Sequence, residues 1–286
     1  MTEQRLSSHH SFSVGDGISV VLPMFNEEKN VEVVIKQVDE VLSLISSQYE
    51  IVVVNDGSTD ETATILSNLL NSMTHLKVVT HPKNQGYGAA LRSGINAASQ
   101  TWTILMDGDG QFPAAEIIPL VGAMAGVDCV LGVRRSRSDP AIRRILGHIG
   151  NRLACRILKT RVLDINCGLK LFKTADLQSI DLYSSGGIIN TEIVAKLLSR
   201  NCRIRQMTVE HMPRIHGKQT GGRLLVILKI SIEGLRLVLK MVGKRQSRSE
   251  TMKERRTYLF YCGHICPDRL AIMGCQAIFL RHSIQE

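Results

Sequence analysis

Aromatic residues are scarce in this chain, at 4% of 286 residues, although 44% are apolar overall. Binding to single-stranded nucleic acid rests on aromatic stacking platforms. None is visible, and zinc-finger spacing is absent, so nucleic acid is not expected as a partner despite a formal net charge of +9. A run of the roughly 20 apolar residues that a spanning helix needs is also lacking. Charges interrupt the stretch from Leu224 to Val242, and Leu270–Leu280 is too short. No long apolar run precedes Asp16, so no secretory leader is expected. The cysteines are odd in number and scattered, at 129, 155, 167, 202, 262, 266 and 275. That favours a reducing compartment over a disulfide framework. Cys262-Gly263-His264-Ile265-Cys266 brings metal-ligand types together, but without an evident fourth ligand. There is no Gly-Lys-Ser/Thr phosphate loop, and no Gly-x-Ser-x-Gly elbow of a serine hydrolase. Asn84-Gln85-Gly86-Tyr87-Gly88 lacks the glycine order of a dinucleotide fingerprint and follows the third strand, not the first.

What is present is a regular alternation. Ile18–Leu22 reads as a buried strand, Glu27–Leu44 as a helix, and Ile51–Val54 as a second, β-branched strand. Asp60 is placed to cap a helix running through Leu70. A strand over Leu76–Thr80, a small-residue helix over Gly86–Ala98 and a strand over Thr103–Met106 follow. Then come a helix over Ala114–Ala125 and a strand over Cys129–Gly132. Later elements are expected at Lys170–Phe172, Thr191–Ser199 and Arg203–Val209, and a basic helix within Asp139–Thr160. Such alternation predicts an α/β fold with a mostly parallel sheet covered on both faces. Ligands in such sheets bind beyond the carboxyl ends of the strands. Phe25, Asp56 and Asp107 all fall at strand-to-turn junctions there.

Asp107 and Asp109, separated by Gly108, suit a hard cation, and Gln111 can add an oxygen. Gly108 permits close backbone approach. An Asp-Gly-Asp-Gly run is equally a tight turn. Asp56 can accept hydrogen bonds from a base or ribose, or serve as a cap. Phe25 can stack on a base or pack beneath the sheet. Glu27 can contact a base or charge a helix N-terminus. The cluster Arg134, Arg135, Arg137, Arg143, Arg144, Arg152, Arg156, Lys159 and Arg161, opposed only by Asp139, can face a polyanion or water.

Four motifs in order resemble the family-2 glycosyltransferases, most closely the branch of polyprenyl-phosphate sugar transferases that includes dolichyl-phosphate mannose synthase. They are Leu22-Pro23-Met24-Phe25-Asn26-Glu27-Glu28, Val53-Val54-Asn55-Asp56-Gly57-Ser58-Thr59-Asp60, Asn84-Gln85-Gly86-Tyr87-Gly88-Ala89-Ala90 and Met106-Asp107-Gly108-Asp109-Gly110-Gln111. The resemblance spans roughly Ser19 to Gly222. It implies a Rossmann-like GT-A fold, that of nucleotide-diphosphosugar transferases, with a mostly parallel central sheet flanked by helices. It also implies a nucleotide site at Pro23, Phe25, Glu27, Val54 and Asp56. Mg2+ or Mn2+ would be held by Asp107, Asp109 and Gln111, with Gly108 at the diphosphate. Arg134, Arg214 and Lys218 would contact the phosphates, although the usual serine before that lysine is replaced by Gly217. Arg143, Arg144 and Asp164 would shape the acceptor side.

The implied reaction is inverting transfer of a hexose from a nucleotide-diphosphate sugar to polyprenyl phosphate. The alternative is a soluble hydroxyl acceptor such as a small glycoside. A hydroxyl needs a general base, for which Glu192 is the candidate; it equally suits a helix N-terminus. An anionic phosphate needs none. A nucleotidyltransferase would want a glycine-rich loop near the first strand, which Leu22–Glu28 does not supply, and a silent membrane adaptor would not need the acid pair. Lys229, Glu233, Arg236 and Lys240 line one face of an otherwise apolar helix. That face pattern suits a membrane interface, packing on the catalytic domain, or assembly into oligomers. The expected organisation is a flexible 1–17, a catalytic domain over 18–222, the amphipathic helix over 223–243 and a basic linker and tail over 244–286. The expected location is cytoplasmic, either free or at the cytoplasmic face of a membrane.

Overall fold

The computed structural model describes residues 16–135, 152, 155, 156 and 160–215. All belong to the first of two compact units, Met1–Leu235. The expected segments 223–243 and 244–286, the Cys262–Cys266 motif, and the site candidates Arg143, Arg144 and Lys218 lie outside the described residues.

Strand β1 (Ile18–Met24) is followed by α1 (Val31–Ile45), β2 (Tyr49–Asn55), α2 (Thr62–Leu70), β3 (Leu76–Thr80) and α3 (Tyr87–Ala97). Next come β4 (Trp102–Leu105), a 3-10 turn at Ala114–Glu116, α4 (Ile117–Gly122) and β5 (Cys129–Arg134). Strand β6 (Lys170–Lys173), helices α5 (Thr174–Gln178) and α6 (Ile189–Leu198), and β7 (Ile204–Val209) complete the described part. The seven strands form one sheet in the order β3-β2-β1-β4-β6-β5-β7. Only β6 runs against its neighbours, antiparallel to both β4 and β5.

β1 and β2 are buried along their whole lengths, as central strands covered on both faces should be. Alternate side chains feed two separate cores. Ile18, Val20, Leu22, Ile51, Val53, Ile104 and Val130 meet α1, α2 and α4. Val21, Val52, Leu105, Leu131 and Phe172 meet α3, α5 and α6. Helix α1 shows how sequence dictates this packing. Val31, Val34, Ile35, Val38 and Leu42 recur at helical spacing and are all buried. Each contributes on the order of 2 kcal/mol by leaving water.

The expected helix at Ala114–Ala125 is shorter, ending at Gly122, a poor helix former. Asp60 accepts the Thr62 N–H at 3.1 Å and the Thr62 hydroxyl at 2.6 Å just ahead of α2, but the N-cap position itself is Glu61, one residue later than expected. The sheet turns outward from β1 in two directions, through β2 and β3 on one side and β4 on the other. That reversal opens a crevice beyond the carboxyl ends of β1 and β4.

Candidate active site

The loops after β1 and β2 are laced together at that edge. Asn26, at φ 55°, accepts the Thr59 N–H at 2.8 Å, and its own N–H donates to Ser58 Oγ at 3.0 Å. The Glu27 N–H donates to Thr62 Oγ1 at 2.9 Å, and the Glu28 N–H to Asp60 at 3.1 Å. Phe25 is left 39% exposed beside this lacing, where its ring is available to a planar ligand.

The acid turn follows β4. Gly108 is pressed onto the end of β1: a Cβ there would lie 2.9 Å from the Pro23 carbonyl oxygen and 2.7 Å from Met24 Cγ. The close approach foreseen for Gly108 is therefore to the sheet. Asp107 and Asp109 are both half-buried. The Tyr87 hydroxyl donates to Asp107 Oδ1 at 2.7 Å, and burial with the Asp107 charge raises the phenol well above its ordinary range. Burial, then the like charge of Asp107, push the Asp109 carboxyl from 3.8 up to about 6, against the lowering pull of the Gln111 N–H and Arg214. Arg214, arriving from beyond β7, bonds Glu27 Oε1 and lies 3.6 Å from Asp109 Oδ2. Glu27 Oε2 accepts from Asn30 at 2.6 Å.

This arrangement fits a divalent cation. Two hard carboxylates crowd one turn, and a guanidinium stands beside them as a stand-in positive charge. Among the described residues no group of three or more His, Cys, Asp or Glu forms a ready cage. Mg2+-type sites commonly use one or two carboxylates and leave the remaining positions to water and substrate phosphates.

Pro23 and Val54 are register partners inside the sheet, and both are buried. Asp56 is sealed and turned inward. It accepts the Gln85 and Gly86 N–H groups at 2.8 Å each and pairs with His81 Nδ1 at 2.7 Å, so it anchors the 84–87 loop instead of presenting its carboxylate to a base or ribose. His81 Nε2 in turn meets Ser93 Oγ at 2.8 Å, tying that anchor to α3. Gln111 spends its amide nitrogen on the Met212 carbonyl at 3.0 Å, while the Met212 N–H donates to the Gln111 carbonyl at 2.7 Å. Gln111 thus clasps the segment that carries Arg214.

Arg134 and Asp164, foreseen on phosphate and acceptor sides, hold each other. Arg134 Nε and Nη2 donate to the two Asp164 oxygens at 2.7 and 3.0 Å, a bidentate fork. Burial works to lower the Arg134 pKa, but the Asp164 bonds and charge outweigh it and hold it raised. Glu192 is wholly buried. Its carboxylate accepts the Tyr183 N–H at 3.1 Å and the Ser184 N–H at 2.8 Å, and pairs with Lys196. Burial opposes its ionisation, yet these bonds lower its pKa overall. A sealed, ionised and fully partnered carboxylate is an anchor for the 182–185 segment, not a general base. Sequence alone assigns no role to Tyr87 or Asn190; Gly168 and Lys170 belong to the Asp164–Lys170 stretch that the resemblance places on the acceptor side, and in the structure Gly168 lies against Asp107.

The sequence pattern of Glycosyl transferase family 2 matches residues 19–178. The chain is 29% identical over 202 residues to undecaprenyl-phosphate 4-deoxy-4-formamido-L-arabinose transferase of Yersinia enterocolitica, covering 70% of this chain and 61% of that protein. It is 29% identical over 215 residues to dodecaprenyl-phosphate galacturonate synthase of Rhizobium johnstonii, covering 72% and 62%. The chain thus spans about three fifths of the length of these curated relatives. In fold it is similar to glucosyl-3-phosphoglycerate synthase from Mycobacterium tuberculosis in complex with uridine-diphosphate, with a TM-score of 0.63, 22% identity and coverage of 80% and 81%. The same enzyme in complex with Mn2+, uridine-diphosphate and glucosyl-3-phosphoglycerate gives a TM-score of 0.63 at 23% identity. With the crevice at the β1/β4 switch point, the acid turn after β4 and the family pattern running from β1 through α5, this chain belongs to Glycosyl transferase family 2.

Proposed function

We propose that this protein transfers a sugar from a nucleotide-diphosphate sugar to a small soluble acceptor hydroxyl, assisted by Mg2+ or Mn2+ at Asp107 and Asp109. The observation that carries the donor side is the crowded acid pair at the carboxyl edge, with Asp109 raised to about 6 and Arg214 held against it and Glu27. A bound cation would supply positive charge to the departing diphosphate. Arg214 contributes a guanidinium at the same edge, fixed there by the Gln111 clasp. Phe25 offers a face to the base. The acceptor oxygen attacks from behind the anomeric carbon as the bond to the diphosphate breaks, which inverts the configuration, and the hydroxyl proton passes to water at the open cleft in place of Glu192.

A soluble acceptor is favoured by the likeness to glucosyl-3-phosphoglycerate synthase, which runs through four fifths of both chains. The curated polyprenyl-phosphate relatives are matched over about three fifths of their length. A polyprenyl-phosphate acceptor is the second reading, and two observations support it. The sequence relatives carry such names. Glu192 is withdrawn from base duty, and an anionic phosphate needs no base. Among the described residues no helix is long and apolar enough to cross a membrane. Peripheral membrane contact through 223–243 belongs to this second reading.

The test is incubation with a panel of sugar nucleotides and Mg2+ or Mn2+, with phosphorylated small acceptors in one arm and polyprenyl phosphate in the other. Product mass identifies the donor sugar. A water-soluble glycoside supports the first reading, and an organic-extractable sugar lipid the second. No consumption of any sugar nucleotide in either arm would overturn both.

A further inference from the structure

Near Asp107 lies a wholly buried lysine, Lys170. A buried ammonium is costly unless its protons find acceptors. Here they go to neutral groups: Lys170 Nζ donates to Asn190 Oδ1 at 2.8 Å and to the Cys167 carbonyl. Burial lowers its pKa, while the charges of Asp164 and Asp107 work the other way.

The Tyr87 hydroxyl donates to Asp107 Oδ1 at 2.7 Å. On another flank Asp107 rests against Gly168. A Cβ at that position would collide with both oxygens and the carboxyl carbon of Asp107.

We infer that Tyr87 and Gly168 are positioning residues that set the pose of the Asp107 carboxylate for cation binding. They come from two separate segments, α3 and the turn leading into β6. Asp107 is thereby held by the packed body of the domain and not by its own glycine-rich turn alone. The inference rests on the reading of Asp107 and Asp109 as the cation site.

The experiment measures Mn2+ alone, titrated into the full chain and followed by the electron paramagnetic resonance signal of the free ion. Wild type is compared with Asp109→Asn, Tyr87→Phe and Gly168→Ala, each checked by its thermal transition. Tyr87→Phe removes one oxygen and keeps the ring, so it is the variant most certain to fold. Its Mn2+ affinity should fall roughly 10-fold, the usual cost of losing a group that orients a metal ligand, with an unchanged melting temperature. In turnover assays the deficit should appear as a raised Mn2+ requirement that saturating Mn2+ overcomes, a split that a merely destabilised protein would not show. Gly168→Ala should weaken Mn2+ binding in the same direction. If wild type binds Mn2+, Asp109→Asn loses it and Tyr87→Phe binds as wild type does, the positioning inference is overturned while the cation site stands. If wild type and Asp109→Asn are alike, the cation site itself is lost, and the inference with it.

Discussion

The two sides of the cleft handle charge in opposite ways. On the side built by the loops after β1 and β4, Glu27, Asp107 and Asp109 converge, and the guanidinium that meets them comes from Arg214, more than a hundred residues later in the chain. Their mutual repulsion is left standing, as the raised Asp109 shows. On the side built by β5, the turn before β6 and α6, the charges are closed into pairs: Arg134 with Asp164, and Glu192 with Lys196. Each of these carboxylates has its partner and its backbone or bidentate bonds in place. Unresolved like charge in a cleft is the pattern expected of a cation site, and a closed pair that of scaffold. On the proposed function, chemistry falls to the first side and architecture to the second.

The largest expected effect tests that assignment directly. Asp109→Asn should lower sugar-nucleotide turnover by roughly 1,000-fold, as loss of a group stabilising transition-state charge does. Glu192→Gln should lower it by less than about 10-fold, because the side chain is an anchor, and should instead reduce stability by on the order of 2 kcal/mol as a buried charged bond is weakened. Turnover at saturating Mn2+ and urea denaturation measure the two. A collapse of turnover in a stable Glu192→Gln protein would return that residue to the role of base and erase the contrast between the sides.

Arg134→Ala comes next. Arg134 and Asp164 have side chains only 12% and 6% exposed. Removing one partner strands the other as a buried charge, at a cost of roughly 3–5 kcal/mol. The urea midpoint should fall accordingly, and Arg134→Lys should recover only part, since an ammonium cannot reproduce the fork.

Acidity separates the sides a third way. A carboxyl raised from 3.8 to about 6 keeps its proton longer in the folded state than in the unfolded one. The folded protein then binds more protons between those values, so this group's contribution to stability falls as pH rises through that window, by at most ~1.4 kcal/mol per pH unit. Glu192, lowered on folding, has the opposite sign: its contribution is present above the unfolded value and is lost as pH falls through the folded one. Urea midpoints measured between pH 4 and 6 should show the Asp109 slope in wild type, a flatter curve in Asp109→Asn, and a flatter curve when Mn2+ is added.

The same division explains what the sequence made legible. The cation side is written locally. A buried strand that ends in an acid or a turn residue places that residue at the sheet's carboxyl edge, and Phe25, Asp107 and Asp109 all follow from that rule. The other side depends on partners distant in sequence. Arg134 meets Asp164 thirty residues later, and neither residue type nor spacing announces the bond. Glu192 stands near the start of α6, where a helix-terminal charge and an active base look alike. Lys170 opens a strand reading Lys-Leu-Phe-Lys, a pattern equally suited to a solvated edge, yet it is fully buried. The reversed direction of β6 escaped for the same reason: four residues fix a strand but not its polarity. Asp56 shows a limit of the local rule as well. Its place at the edge was legible, but its inward turn depends on the 84–87 loop closing over it.

The smallest expected effect sits beside one of the largest. Arg135 follows Arg134 at the end of β5, where successive side chains point to opposite faces. Arg134 turns inward to Asp164; Arg135 turns outward and meets Glu210 at 3.0 Å, with side chains 70% and 50% exposed. An ion pair that wet gains little, because water and salt screen it and both side chains give up rotamer freedom. Arg135→Ala should therefore lower the unfolding free energy from urea denaturation by less than about 0.5 kcal/mol, while the same change one residue earlier unfolds the protein at far lower urea. Equal losses at the two positions would mean that the basic stretch beginning at β5 acts as one electrostatic surface, with charge and not burial deciding its energetics. Unequal losses make burial the deciding variable, as the inward fork at Asp164 requires.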